Sequence, residues 1–279
     1  MLYNILEFGK LDRAHFEFEC QSRTDHIYLG NNTVLCKALG GRKIYVDARD
    51  ISLAPHLIMD GFWESWVTLA FTKIIQPGFT CIDLGANYGY YSILMSELSG
   101  DQGKTIAIEA NPEIASYLSA TCMLNGSRFN VVQKAVSNFN GEVTLTITEK
   151  LYGGSTIINR EPTPDTYQIK VPAVTLDHLA EQYKLSKIDF IKIDVEGVEP
   201  LILEGMNKIL EKNPQLQMIV EYSPCMYSDA KSYTEYLFSS FLVYEVGFDS
   251  NFHQLDKKDI KRLLEIPGHT DLYLRQKRN

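Results

Sequence analysis

The chain has 279 residues, of which 45% are hydrophobic and 22% are charged, a composition typical of one globular unit of enzyme size and not of a disordered or fibrous chain. Its formal net charge of −8 opposes binding to a polyanion, so we expect no nucleic-acid partner. No stretch reaches the roughly 18 apolar residues that a membrane span requires. Five scattered cysteines without paired spacing, and first residues unlike a secretory signal, predict reduced thiols and a cytoplasmic location.

The first 60 residues differ from the rest because they contain short β-like segments separated by turns. These segments are HFEFEC at 15–20, HIYLG at 26–30 and KIYVDAR at 43–49. A piece of this length seldom holds a core of its own. We therefore expect a β-rich extension over residues 1–60 that packs on a larger domain, residues 61–279. The extension is also a candidate surface for forming a homo-oligomer.

From residue 79 onward, strand patterns alternate with helical ones. The predicted strands are 79–84, 105–110, 130–136, 142–148, 168–174, 188–195, 215–223, 242–247 and 270–276. The predicted helices follow Gly89, Asn111 and Thr175, and then cover 199–213 and 229–240. This alternation predicts an α/β fold with a mostly parallel sheet, helices on both faces and a binding site at the carboxyl ends of the strands. Residues 150–167 are predicted to be a long loop.

The junction between the first of these strands and its helix is rich in small and polar residues. They are Asp83, Gly85, Ala86, Asn87 and Gly89. Glycine lets a ligand approach the main chain, and the N–H groups at the start of a helix are free to bind it. Asn87 replaces the second glycine of the dinucleotide motif, and Asp83 would repel a pyrophosphate. The junction therefore argues against a nucleotide-dependent oxidoreductase and favours a cationic ligand.

A second acid, Glu109, ends the next strand about two dozen residues after the first glycine. A carboxylate in this position can accept both hydroxyl groups of a ribose. A ligand with a ribose, a positive charge and no phosphate fits both acids, and S-adenosylmethionine (SAM) has these features. Its sulfonium carries the charge and an electrophilic methyl group.

Several segments together resemble a known enzyme family. IDLGANYGYYS at 82–92 and AIEANPE at 107–113 look like the first two motifs of class I methyltransferases. VTLDHL, IDFIKIDVEGVEPLILEGM and IVEYSP, between residues 174 and 224, resemble the FkbM-type methyltransferases in particular. The resemblance implies a Rossmann-like, mostly parallel sheet of seven strands and a SAM-dependent activity.

The resemblance also implies roles for individual residues. Asp83, Gly85 and Asn87 would line the methionine half of the cofactor, and Glu109, beside Ala110, would bind the ribose. Ala135 and Val136 would flank the adenine. Asp194 and Glu196 would reach the methyl group or the acceptor. Glu64, within GFWESW, is a further cofactor-binding candidate through its similarity to the segment that precedes the domain in this family.

Transfer to an alcohol also requires a base within hydrogen-bond reach of the hydroxyl proton. The catalytic candidates are Asp194, Glu196, Glu221 and His253. Asp194 and Glu196 with a third oxygen could hold Mg²⁺, but nothing in the spacing demands a metal, and we expect none. We predict an O-methyltransferase acting on a sugar, a glycan or a natural product. N-methylation of a small metabolite and a non-catalytic SAM-binding module are the alternatives.

Overall fold

The computed structural model describes residues 3–158 and 163–277. Its strands are β1 His26–Gly30, β2 Thr33–Ala38, β3 Arg42–Asp47, β4 Thr80–Leu84, β5 Lys104–Glu109, β6 Asn130–Gln133, β7 Ala135–Val136, β8 Gly141–Thr148, β9 Thr166–Val174, β10 Phe190–Ile193, β11 Gln217–Tyr222, β12 Phe241–Val246, β13 Phe252–Gln254 and β14 Thr270–Gln276. Its α-helices are α1 Arg13–Gln21, α2 Ala54–Met59, α3 Ser65–Ile74, α4 Tyr90–Ser99, α5 Pro112–Leu124, α6 Leu176–Gln182, α7 Glu199–Glu204, α8 Asn207–Lys212, α9 Ala230–Ser240 and α10 Ile260–Leu264. Short 3₁₀ helices cover Ile5–Lys10, Tyr152–Gly154, Pro224–Met226 and Lys257–Asp259.

The main sheet has the order β13-β12-β14-β11-β10-β4-β5-β6. The five strands from β11 to β6 are parallel neighbours, whereas β14 is antiparallel to both β11 and β12. The prediction of a mostly parallel α/β sheet is confirmed. The sheet has eight strands instead of seven, because the three-residue β13 pairs with the edge of β12.

Two apolar cores cover the two faces of this sheet. One includes side chains of α3, α4 and α5, and the other includes side chains of α6 to α10. Because successive side chains of a strand point to opposite faces, Cys81 of β4 belongs to the first core and Ile82 to the second. The two cores hold the parallel strands in register, so that their carboxyl ends meet at one edge.

The N-terminal extension contains a small sheet, β1-β2-β3, and more helix than its sequence predicts. The segment HFEFEC lies in α1, not in a strand. Asp12 caps this helix by accepting a hydrogen bond from the His15 N–H. Phe16 and Cys20, four residues apart, are buried, whereas Phe18 is 65% exposed. The strand prediction from the alternating pattern is therefore wrong, since the buried residues follow the helical period.

The extension contacts the larger domain through α4 and α5. The backbone N–H of Tyr45 in β3 donates to the hydroxyl of Thr121 in α5. The guanidinium of Arg42 lies 3.2 Å from the carboxylate of Glu97 in α4. Ile27 and Tyr28 of β1 are exposed, and oligomer formation through this surface stays a prediction.

Two predicted elements are divided in the structure. The predicted strand 130–136 splits into β6, which joins the main sheet, and β7, which joins a three-stranded sheet with β9 and β8. The predicted helix 199–213 breaks between α7 and α8 at Gly205. A Cβ on Gly205 would lie 2.5 Å from the carbonyl oxygen of Ser137, so the main chains approach too closely for a larger residue.

The half-exposed strand predicted at 142–148 is confirmed as β8, which pairs antiparallel with β9. Part of the predicted loop 150–167 forms a 3₁₀ helix, and residues 159–162 of it lie outside the described residues. In the two described ranges, no helix is both long and apolar enough to cross a membrane.

Candidate active site

A cavity of about 450 Å³ opens at the carboxyl ends of the parallel strands, a size typical of small-molecule sites. Most of the site residues predicted from the sequence line it. They are Glu64, Gly85, Ala86, Asn87, Glu109, Ala110, Ala135, Val136, Asp194, Glu196 and Glu221. Ala135 and Val136 form β7 and are the predicted neighbours of the adenine. They therefore share one cavity with the acids at the ends of β5, β10 and β11.

The turn after β4 fits tightly between its neighbouring strands. Gly85 has a φ of +78°, and a Cβ there would lie 1.8 Å from the carbonyl oxygen of Asp194. The N–H groups of Gly85 and Ala86 both donate to the carbonyl of Ile108 in β5, at 3.0 Å. Glycine is required at this position by both the backbone conformation and the close approach. The turn places the following Asn87 against β5.

Glu109 is the carboxylate at the end of β5. Its Oε2 accepts from the N–H of Asn87 at 3.0 Å, and its Oε1 accepts from the N–H of Asn111 at 2.8 Å. Burial raises the pKa of Glu109 to about 7, although the hydrogen bonds from these backbone N–H groups lower it. The Oδ1 of Asn87 is buried without a hydrogen-bond partner, so a ligand that donates to it would satisfy it. These acceptors fit a ribose or an amino group.

Asp83 and Gly89 lie outside the lining of the cavity, and their roles as cofactor contacts stay predictions. The Asp83 side chain points to the face under α4, is 1% exposed, and accepts from the hydroxyl of Ser92 at 2.6 Å. Gly89 begins α4 with a φ of +95°, and a Cβ there would lie 2.8 Å from Leu118. Asp83 therefore binds α4 to the sheet through Ser92, and Gly89 permits α4 to pack against α5.

Lys192 is a buried cation that the sequence reasoning missed. It is paired with Asp83 in the register of β10 and β4, on the same face of the sheet. Its Nζ donates to Oδ2 of Asp194 at 2.6 Å and lies 4.8 Å from the centre of the Tyr91 ring. Burial lowers the pKa of Lys192, but Asp194 and Asp83 outweigh this effect and hold the pKa above its ordinary value. The ammonium therefore compensates the acids around it.

Three acids converge at the edge of the cavity opposite Glu109. One carboxylate oxygen from each of Asp194, Glu196 and Glu221 lies within 4.8 Å of the others. Burial, followed by the charges of Asp194 and Glu196, raises the pKa of Glu221 to about 10. Lys192 provides Asp194 with a cation, and the absence of a metal from this acid cluster stays a prediction. Bringing three carboxylates together gives a group that binds a proton strongly.

Glu64 closes this end of the cavity from the extension side. It precedes α3 in a left-handed conformation, with a φ of +37°, and its Oε2 accepts from the hydroxyl of Tyr91 at 2.8 Å. Burial and the charge of Asp194 raise its pKa. Opposite it, the hydroxyl of Thr156 donates to the carbonyl of Glu196 at 2.7 Å. The segment 152–156 thus forms another wall of the cavity.

The two histidines closest to the C-terminus differ from the expectation. His253 lies on the edge strand β13, exposed and 3.0 Å from Asp249, and does not line the cavity. Its part in the chemistry stays a prediction. His269, which the sequence reasoning did not single out, lines the cavity with its Nδ1 3.6 Å from Oε1 of Glu221. It precedes β14, whose antiparallel direction places its start beside the carboxyl end of β11.

Because the carboxyls of Glu109 and Glu199 are buried, we expect the free protein to be more stable at pH 5.5 than at pH 8. The pKa values of Glu109 and Glu199 are raised, mainly by burial, from 4.5 to about 7. The folded protein holds these protons up to about pH 7, whereas the unfolded chain releases them near pH 4.5, so stability falls as the pH rises through this window. Between pH 5.5 and pH 8 the loss is up to about 2 kcal/mol for each group.

Thermal unfolding measured between pH 5.5 and 8 checks this expectation, and we expect Tm to fall by several degrees across the range. Glu199→Gln is the matched variant. The Oε1 of Glu199 accepts from the N–H groups of Val195 and Gly197, and an amide oxygen can do the same. This variant should show a flatter dependence of Tm on pH. A Tm that increases from pH 5.5 to 8 in the native chain would contradict the burial of these carboxyls.

Comparison with known proteins gives a family assignment. A family model described as the methyltransferase FkbM domain matches residues 83–260. Methyltransferase sdnD of Sordaria araneosa is 28% identical over 156 residues, which are 46% of this chain and 60% of that protein. The match thus spans less than two thirds of that relative's length.

Two solved structures show a lower similarity. An O-methyltransferase of Bacillus cereus in complex with SAH aligns with a TM-score of 0.41 and 13% identity, covering 82% of this chain and 84% of that one. The Methanococcus jannaschii fibrillarin pre-rRNA processing protein aligns with a TM-score of 0.43 and 14% identity, covering 92% and 99%. Because the family model covers more than half of the chain, the protein belongs to the FkbM methyltransferase domain family.

Proposed function

We propose that the protein transfers the methyl group of SAM to a hydroxyl of a small acceptor, such as a sugar, a glycan unit or a natural product. The observation that carries this proposal is the arrangement of one cavity with Glu109 at one end and the acid cluster of Asp194, Glu196 and Glu221 at the other. The first end offers acceptors to a nucleoside, and the second offers acceptors to hydroxyl groups.

The residues at the first end would hold the cofactor. The two oxygens of Glu109 would accept from the ribose hydroxyls, and the buried Oδ1 of Asn87 would accept from a polar group of the ligand. Ala135 and Val136 offer an apolar wall for the adenine. When bound, SAM supplies an electrophilic methyl group on a positively charged sulfur.

The residues at the second end would bind and deprotonate the acceptor. As the acceptor oxygen gains the methyl group, its proton must move to a base. Glu221 in its ionised form suits this role, because burial and its acidic neighbours make its carboxylate a strong proton acceptor. Asp194 and Glu196 would accept hydrogen bonds from other hydroxyls of the acceptor. Since ionised carboxylates only accept hydrogen bonds, the cluster selects a ligand rich in donors and opposes an anionic one.

An amine acceptor is the second candidate, favoured by the same three carboxylates, which would attract an ammonium group. The two are separated by offering sugars and their amino-sugar counterparts on the same scaffold. The net charge of −8 supports a small acceptor over a nucleic acid. The five free thiols support a cytoplasmic location for the reaction.

A methyl-transfer screen over free sugars, glycans, hydroxylated natural products and matched amines, read by product mass, tests the proposal. We expect a hydroxyl acceptor to gain one methyl group, with EDTA leaving turnover unchanged. With that acceptor, Glu221→Gln should lower kcat by about 100-fold or more, since general base catalysis contributes this much. SAM should still bind, because Glu221 lies at the acceptor end of the cavity.

Glu142→Gln is the control for this variant. Glu142 is an exposed acid of β8 that pairs with Lys170 and lies outside the cavity, and its loss should leave kcat unchanged. Methylation of amines but not of hydroxyl compounds would reject the hydroxyl acceptor and favour the amine acceptor. Normal turnover in Glu221→Gln would remove Glu221 as the base.

A further inference from the structure

Glu221 needs a route by which a proton reaches solvent, if it acts as the base under the proposed function. Its side chain is only 14% exposed. Asp194 and Glu196 face it from the loop after β10, Glu199 from α7 and Asp271 from β14, and all four charges raise its pKa further. A proton taken from an acceptor would therefore stay on Glu221, and the next turnover needs the carboxylate again.

His269 is placed to remove that proton. Its Nδ1 is 3.6 Å from Oε1 of Glu221, and its side chain is 49% exposed, compared with 14% for Glu221. A distance of 3.6 Å is just beyond a direct hydrogen bond, so a small ring rotation or one bridging water would complete the contact. Among the described residues that line the cavity, His269 is the only imidazole. The ring thus connects a buried acid with the cavity mouth.

Further acids lie near His269. Besides Glu221, the carboxylate of Glu64 interacts with it from the start of α3. The buried Asp271 follows two residues later, in β14, where it is paired with Glu221 in the strand register.

We propose that His269 carries the proton from Glu221 to solvent. The carboxyl of Glu221 loses its proton to Nδ1 of the ring, and the resulting imidazolium releases a proton from Nε2 to water. The ring then returns to its first tautomer by exchange with solvent. Glu221 is left as the carboxylate, no electron pair leaves the two side chains, and one proton has moved to the bulk.

Proton release on SAM binding tests this step without an acceptor. A bound cation favours the ionised form of a nearby carboxyl, so mixing the protein with SAM at about pH 8.5, where Glu109 with its pKa of about 7 is already ionised, should release protons from Glu221. The release is followed in a stopped-flow instrument with a pH indicator in weakly buffered solution. Four proteins are compared: the native chain, Glu221→Gln, His269→Ala and His253→Ala.

We expect Glu221→Gln to lose most of the release, because it removes the carboxyl that supplies the proton. His269→Ala should keep the amplitude but slow the release by roughly tenfold or more, and added imidazole should restore its rate. A merely structural role would not respond to free imidazole. His253→Ala removes a histidine that also pairs with an acid but lies on β13, and it should behave as the native chain does.

Each other outcome has a definite meaning. Release from His269→Ala at the native rate, or slowed release that imidazole does not restore, overturns the role of His269. Full release from Glu221→Gln overturns the route itself. If calorimetry finds no SAM binding to the native chain, the proposed function fails first, and the inference that rests on it falls as well. Binding with release, but without any methylated product, leaves the proton route supported and rejects the proposed acceptor class.

Discussion

Lys192→Met should lower the free energy of unfolding by about 3–5 kcal/mol at pH 8, because it leaves buried acids without their cation. The ammonium pairs directly with Asp194, and the charges of Asp83 and Glu64 also stabilise it. The substituted methionine fits the length of the side chain, so the loss comes mainly from charge. At pH 5.5 the acids can take up protons, and the loss should be smaller.

Denaturant unfolding of both proteins at the two pH values measures this loss. Lys170→Met is the matched control: Lys170 is 75% exposed and pairs with Glu142, which is 58% exposed. That variant should lose less than about 1 kcal/mol, as expected for an exposed ion pair. Equal losses in the two variants would mean that Lys192 does not compensate the buried acids.

Glu109→Ala should weaken SAM binding by roughly 10- to 100-fold, the loss expected when hydrogen bonds between a ligand and a charged group are removed. Calorimetric titration gives the affinity. In the native chain, affinity should also weaken below about pH 7, because the carboxyl, whose pKa burial raises to about 7, then becomes protonated. The variant should lose this part of the pH dependence.

Two controls separate ribose binding from a disturbed turn. Glu113→Ala removes the next acid along the chain, which pairs with Arg49 and does not line the cavity, and it should leave affinity unchanged. A SAM analogue without the ribose 2′-hydroxyl should bind to the native chain more weakly than SAM does. Glu109→Ala should bind this analogue no more weakly than it binds SAM, because the partner of the hydroxyl is already removed. Additive losses would show that Glu109 and this hydroxyl do not interact.

The strand and helix pattern predicted the main sheet because buried parallel strands are continuous apolar runs. It failed where another contact decides the local structure. Alternation in HFEFEC indicated a strand, yet capping by Asp12 and burial of Phe16 and Cys20 favour a helix. The strand 130–136 was predicted whole, since sequence does not show that its last two residues pair with β9 in another sheet.

The acids of the site could be predicted because each directly ends or follows a parallel strand, where such sheets bind ligands. Asp83 could not be placed this way, since it lies within β4, where alternation points its side chain under α4. A signal for Lys192 was present: a lysine inside an apolar strand needs a buried partner, and Asp194 follows two residues later. His269 depends on the antiparallel insertion of β14, a tertiary feature that one sequence does not reveal.

A crystal structure of the protein with SAH tests the central claim most directly. The ribose hydroxyls should lie within hydrogen-bond distance of Glu109, and the sulfur should face the acid cluster of Asp194, Glu196 and Glu221. A nucleoside bound away from Glu109, or a sulfur turned away from those acids, would contradict the assignment of the two ends of the cavity.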